Sequence, residues 1–107
     1  MESISLQLAK FLKNKNINQV FAVTGGGAMF LNKAFDDVFG KKVCYMHHEQ
    51  SCAMAAESHA RITGTPAIVN LTTGPGSINA LNGVFGAFTD SIPMIVISGQ
   101  VKRETLV

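Results

Sequence analysis

Four short apolar runs, residues 20–23 (VFAV), 43–46 (VCYM), 67–71 (AIVNL) and 94–97 (MIVI), narrow the possible folds of this chain more than any other feature. Each is too short for a helix and too continuous for a strand with one wet face, so each reads as a buried parallel strand. The runs end near residues 24, 48, 73 and 98, a step of 24 or 25 residues, and no sequence repeat accompanies the step. Helical spacing fills the intervals. Ile4, Leu8, Phe11 and Leu12 mark a first amphipathic helix over 2–14. Leu31, Ala34, Phe35 and Val38 mark a second, Ala53, Ala56 and Ala60 a third, and Ile78, Leu81, Phe85 and Phe88 a fourth. Successive βα units account for both periods. The expected fold is an α/β three-layer sandwich, with a parallel sheet of at least four strands and helices on both faces.

Right-handed crossovers place every loop that follows a strand on one edge of such a sheet, the edge where open α/β sheets bind ligands. The loops predicted to converge are TGGGA (24–28), HHEQS (47–51), TTGPGS (72–77) and SGQ (98–100). The chain has 107 residues, enough for one domain over 1–107. It is 47% hydrophobic and 15% charged, which suggests apolar surface meant for a partner. A net charge of +2 from scattered lysines gives no surface for nucleic acid. No run reaches membrane-spanning length and the first fifteen residues lack a signal-peptide core, so a cytoplasmic location with no membrane partner is expected. Cys44 and Cys52 are read as small core residues.

Glycine-rich loops after strands invite a nucleotide reading, because backbone N–H groups at a helix start can approach a phosphate. The details do not match. TGGGAM is not G-x-G-x-x-G, the second strand ends in Tyr45, Met46 and His47 rather than in an acid for a ribose, and no G-x-x-x-x-G-K-[ST] is present. Cys44, His47, His48 and Cys52 offer zinc-type ligands, but alternation along a strand points Cys44 and its neighbours to opposite faces, so no metal site is assigned. His47 is read as a hydrogen-bonded loop residue and His48 as candidate pocket lining. Small residues run most of the way round the helix after residue 50, which leaves a second close-packing surface with a dimer partner as candidate occupant.

Glu49 is the residue that these loops isolate. An exposed acid at a helix N-terminus gains about 0.3–1 kcal/mol from the helix dipole, and that alone could explain it. Its place at the binding edge, between two glycine loops and ahead of a small-residue helix, instead suits a buried carboxyl that shares a proton with a ligand nitrogen.

The stretches VFAVTGGGAMFLNKAF and HHEQSCAMAAESHARITGTPAIVNLTTGPGSINALNGVFGAFTDSIPMIVISGQ, taken together, resemble the N-terminal pyrimidine-binding domain of thiamine-diphosphate enzymes of the acetolactate synthase type. The resemblance rests on H-E-Q before a small-residue helix, A-R-x-T-G, T-T-G-P-G-x-x-N, and D-S-I-P ahead of an apolar strand and G-Q. It implies that Glu49 is the catalytic glutamate, which hydrogen-bonds the aminopyrimidine and stabilises the imino tautomer that deprotonates the thiazolium carbon. It also implies cofactor contacts at Gly25, Gly26, Thr73, Gly74, Asn79 and Gln100. The implied activity is that of a transferase or lyase acting on a small 2-oxo acid. Thiamine diphosphate would be its cofactor, with Mg²⁺ held by a diphosphate-binding domain, and the assembly would be a homodimer or larger homo-oligomer. Nothing in these residues reads on FAD. Thr24 and Ser58-His59 stand where acetolactate synthases usually have Pro and Gly-Tyr. Neither a central domain nor the G-D-G…N-N signature of the diphosphate-binding domain is present, so the chain reads as an incomplete pyrimidine-binding domain without turnover of its own. The competing readings are a non-catalytic interaction module and a dinucleotide-binding domain.

Overall fold

The structure, a computed structural model, describes residues 1–107. Helix α1 (Ile4–Asn14) leads into β1 (Val20–Ala22), and a 3₁₀ turn at Gly26–Ala28 opens α2 (Met29–Phe39). β2 (Val43–Tyr45), α3 (Glu49–Thr63) and β3 (Ile68–Leu71) follow, then α4 (Pro75–Asn79), α5 (Leu81–Thr89) and β4 (Ile95–Ser98). The sheet is parallel throughout, in the order β2-β1-β3-β4, with Val20 level with Val43 and Ile68, and Ile68 level with Ile95. All four strands and the three-layer arrangement agree with the sequence reading.

Two cores lie on opposite faces of the sheet. Ala9 and Leu12 of α1 and Ala34, Phe35 and Phe39 of α2 pack on Val20, Ala22 and Ile68. On the other face Cys52, Ala53 and Ala56 of α3 pack with Val69, Leu71 and Ala80. The alternation Ile68/Val69 thus sends neighbouring side chains of β3 to different layers, as strand geometry requires. α1 starts two residues later than the periodicity implies, because the Ser3 hydroxyl accepts the Leu6 N–H at 3.2 Å and caps the helix there. Gly64 ends α3 in the left-handed conformation at φ 74°, as a C-terminal cap.

Three expectations need correction. Only β1 and β3 are fully inner strands. β2 and β4 lie at the sheet edges, with Cys44 and Tyr45 exposed and β4 half-buried in alternation. Cys44 is therefore a surface thiol, while Cys52 is buried. The fourth apolar stripe also faces outward. The helix breaks at Ala80 into α4 and α5, and Ile78, Leu81, Phe85 and Phe88 are 57–80% exposed. α5 buries Gly83 and Ala87 instead. The reason is close approach: a Cβ at Gly83 would lie 2.6 Å from Ala53 Cβ and 3.1 Å from the Met54 nitrogen. α5 of the same chain thus packs on the Ala53 side of α3, while Ser51 and Ala55 stay half-buried and Ser58 exposed on the rest of that helix.

Candidate functional site

Glu49 is the first residue of α3, and His48 caps the helix by accepting the Gln50 N–H on Nδ1 at 3.1 Å. Both histidines are exposed, and the hydrogen bond that the sequence reading gave to His47 is made by His48. Glu49 is 9% exposed, and it and Asn70 are the two buried polar residues of the chain. Its Oε2 accepts the Asn79 side-chain amide at 3.2 Å, which ties α3 to the end of α4. Oε1 faces Gly76, where a Cβ would stand 3.0 Å from that oxygen and 2.7 Å from Thr72 Cγ2. The missing side chain at residue 76 leaves Oε1 uncovered.

The loops after β1, β3 and β4 lock together beside it. A Cβ at Gly25 would fall 2.5 Å from Thr72 Cβ and Oγ1, and one at Gly27 2.7 Å from Thr73 Cγ2. The Gly27 N–H donates to Thr72 Oγ1 at 3.2 Å. Gly99 approaches so closely that its Cβ would overlap the Gly27 carbonyl oxygen at 2.1 Å, and the Gln100 N–H donates to that same oxygen at 3.2 Å. The Thr73 hydroxyl donates to Gln100 Oε1 at 3.2 Å. Ser98 Oγ donates to the Thr72 carbonyl at 3.0 Å and lies 2.5 Å from Ser77 Oγ. Gly74 turns the chain into α4 at φ 62°, a conformation that favours glycine. No Cβ at Gly26 would meet anything within 4 Å, so the loop is open at that residue.

Of the residues singled out from sequence, Glu49 and Asn79 meet directly, Thr73 meets Gln100, and Gly25, Gly26 and Gly74 lie in the loops that converge on Thr72 and Gly76. None of the three surface concavities is lined by Glu49 or by the loops at 24–27 and 72–77. Gly27, Thr72, Gly76 and Ser98 escaped the sequence reading. Their signal lay in TTGPGS and SGQ, where hydroxyls adjoin glycines at a strand end, but which of them touch is set by tertiary approach. Cys44, His47, His48 and Cys52 do not converge, and no group of three His, Cys, Asp or Glu side chains could hold a metal ion. Burial, then the Glu49 carboxylate, then Cys44 push the Cys52 thiol up from 9.0 to about 11, so it stays protonated beside the acid.

A parallel four-stranded sheet that presents a buried glutamate among glycine loops at its carboxyl edge is the arrangement of a cofactor-binding α/β domain. Residues 3–107 match the family described as the N-terminal TPP-binding domain of thiamine pyrophosphate enzymes, and the chain belongs to that family. It is 41% identical over 95 residues to the acetolactate synthase large subunit of Buchnera aphidicola subsp. Schizaphis graminum, a match that covers 89% of this chain and 17% of that protein. It is 37% identical over 99 residues to the acetolactate synthase isozyme 3 large subunit of Escherichia coli, covering 92% of this chain and 17% of that one. Among solved structures, benzoylformate decarboxylase from Polynucleobacter necessarius superimposes with a TM-score of 0.86 at 25% identity, over 99% of this chain and 20% of the decarboxylase. The chain thus spans about a fifth or less of the length of these relatives.

Proposed function

We propose that this chain is the pyrimidine-binding half of a thiamine-diphosphate-dependent enzyme that acts on 2-oxo acids, by carboligation or decarboxylation. The observation that carries the reading is Glu49: a buried carboxylate with one oxygen held by Asn79 and the other left uncovered by Gly76. That donor set fits an aminopyrimidine. Oε1 can share a proton with a ring nitrogen, while Asn79 holds the carboxylate in place and leaves it no internal cation to pair with. Gly25, Gly26, Thr73 and Gly74 form the adjoining wall, and Gln100 steadies it through Thr73. Thiamine diphosphate, when bound, supplies the carbanion chemistry at its thiazolium ring. The work of this chain is to orient the pyrimidine, keep water from Glu49 and hold or move one proton at Oε1.

No grip for a diphosphate or for Mg²⁺ is built from these residues, so both fall to another domain in this reading. Association is part of the proposal. Leu81, Phe85 and Phe88 project from α5 at 57–80% exposure, an apolar strip suited to that domain or to a second copy of the chain. An amide-resolved titration of the chain with thiamine diphosphate tests the function. Binding should be weak, about millimolar, because charge-assisted phosphate contacts worth about 1.5–3 kcal/mol each are missing. Shifts should map to 24–27, 49 and 72–79, and Glu49→Gln should abolish those at 76–79. No response in those segments at saturating cofactor would defeat the reading, and so would a response that Glu49→Gln leaves intact.

A further inference from the structure

Asn70, the second buried polar residue, has no part in the site so far. It lies at 0% exposure in β3, a strand otherwise made of Ile68, Val69 and Leu71, and alternation turns it toward the α1/α2 layer with Ile68. Its Nδ2 donates to Asn32 Oδ1 in α2 at 2.6 Å, and Asn32 Nδ2 in turn reaches the Gly25 carbonyl at 3.4 Å. The direction of this chain is fixed from its far end. A backbone carbonyl only accepts, so Asn32 must offer its NH₂ to Gly25 and its oxygen to Asn70, and Asn70 must therefore donate. Asn70 Oδ1 is left buried with no partner. A leucine would suit the strand better, so the amide at residue 70 is explained by what it donates to.

We propose that Asn32 and Asn70 are a positioning pair that sets the plane of the Gly25–Gly26 peptide at the cofactor site. The inference rests on the reading of that site given above. Gly25 is caught between two fixed bodies: Thr72, which leaves no room for a side chain at residue 25, and the Asn32 amide, which pulls on its carbonyl. The carbonyl is also the acceptor of the Ala28 N–H at 3.1 Å, so the turn into α2 hangs on the same atom. In a trans peptide the C=O and the following N–H point in opposite directions. Drawing the Gly25 oxygen inward to Asn32 turns the Gly26 N–H outward, at the one glycine of this loop with open space around it. Thr72 in turn abuts both Gly25 and Gly76, the residue that faces Glu49 Oε1, so the peptide and the acid share one wall.

The test separates positioning from simple support of the fold. Asn32→Leu alone strands the Asn70 amide and should destabilise the chain, whereas Asn32→Leu with Asn70→Leu removes both partners and should restore the denaturation midpoint to near that of the parent. The Gly25 carbonyl stays without its side-chain donor in the double variant. Exchange of the Ala28 amide should therefore remain about tenfold faster than in the parent, and the Gly25 carbonyl carbon resonance should stay displaced. The shift response to thiamine diphosphate should weaken severalfold with them. Recovery of the Ala28 exchange rate and of the Gly25 resonance together with stability would overturn the proposal and leave the pair a structural role only. Both of these signals are read without ligand. If they change as expected while no variant, the parent included, responds to thiamine diphosphate, the positioning role stands and the cofactor reading falls.

Discussion

Gly83→Ala places one methyl where α5 crosses α3, and its effect can be worked from the distances. The new carbon would sit 2.6 Å from Ala53 Cβ and 3.1 and 3.2 Å from the Met54 nitrogen and the Ala53 carbonyl carbon. Ordinary contact lies at about 3.5–4.0 Å. Two of the three opposing atoms are backbone, so no rotamer change relieves the clash, and α5 must retreat by about 1 Å. Overpacking of this kind costs about 1–3 kcal/mol, offset by at most about 1 kcal/mol from the better helix propensity of alanine. The net loss of about 1–2 kcal/mol should lower Tm by about 5–12 °C. The site should feel it too, because Asn79 is carried by the segment leading into α5 while Glu49 is fixed to α3, and their 3.2 Å bond spans the joint that opens. The assay is thermal and denaturant unfolding of the parent and of Gly83→Ala, with the Asn79 side-chain amide signal followed in each. Ala53→Gly added to the variant should recover only part of the loss, since the backbone contacts remain. A Gly83→Ala chain as stable as the parent, with an unmoved Asn79 signal, would refute the account of the α3–α5 crossing.

Other consequences follow from the same structure. Cys44 should be alkylated at neutral pH while Cys52 resists until the chain unfolds; equal labelling of the two would contradict their burial. Because the Cys52 thiol titrates near 11 when folded and near 9.0 otherwise, the folded state binds the extra proton between those values. Stability from this group is full below pH 9 and is lost as pH rises toward 11, a decline that Cys52→Ala should flatten. Asp90→Asn removes an exposed partner of Arg61 and should change stability by less than about 1 kcal/mol in denaturant titrations. Phe85→Asp with Phe88→Asp should leave the fold intact and abolish self-association in sedimentation; a parent that stays monomeric at tens of micromolar removes the proposed role of this strip in homodimers.

The strands and their order of appearance were legible because parallel βα units impose a fixed spacing and uniform apolar runs, and both are properties of the chain alone. Glu49 was legible for a related reason: a single acid between two glycine loops at strand ends is placed by connectivity, whatever the packing. Edge and inner strands were not separable, since VCY and IVI look as apolar as VFA and only the sheet order exposes Cys44, Tyr45 and Val96. The outward turn of Leu81, Phe85 and Phe88 was hidden for the opposite reason. Periodicity gives the stripe but not its direction, and the deciding residue, Gly83, carries no apolar signal at all. The partners of Asn32 and Asn70 lie 38 residues apart, beyond the reach of any local pattern.

The contact of Gly99 and Gln100 with the Gly27 carbonyl also bears on how the chain acquires its site in time. The hydrogen bond joins residues 73 positions apart in sequence, and it can close only after β4 has docked beside β3. Long-range closure in an all-parallel sheet is intrinsically slow. During synthesis the loop after β1 leaves the ribosome early, at a few residues per second up to about twenty, and must wait for β4 before its carbonyl finds this donor. Until then the segment beside Thr72 is held from one side only. The wall that Gly27 and Gln100 build beside Thr73 should therefore order only once β4 has joined the sheet, later than the Glu49–Asn79 contact, whose residues both precede that strand.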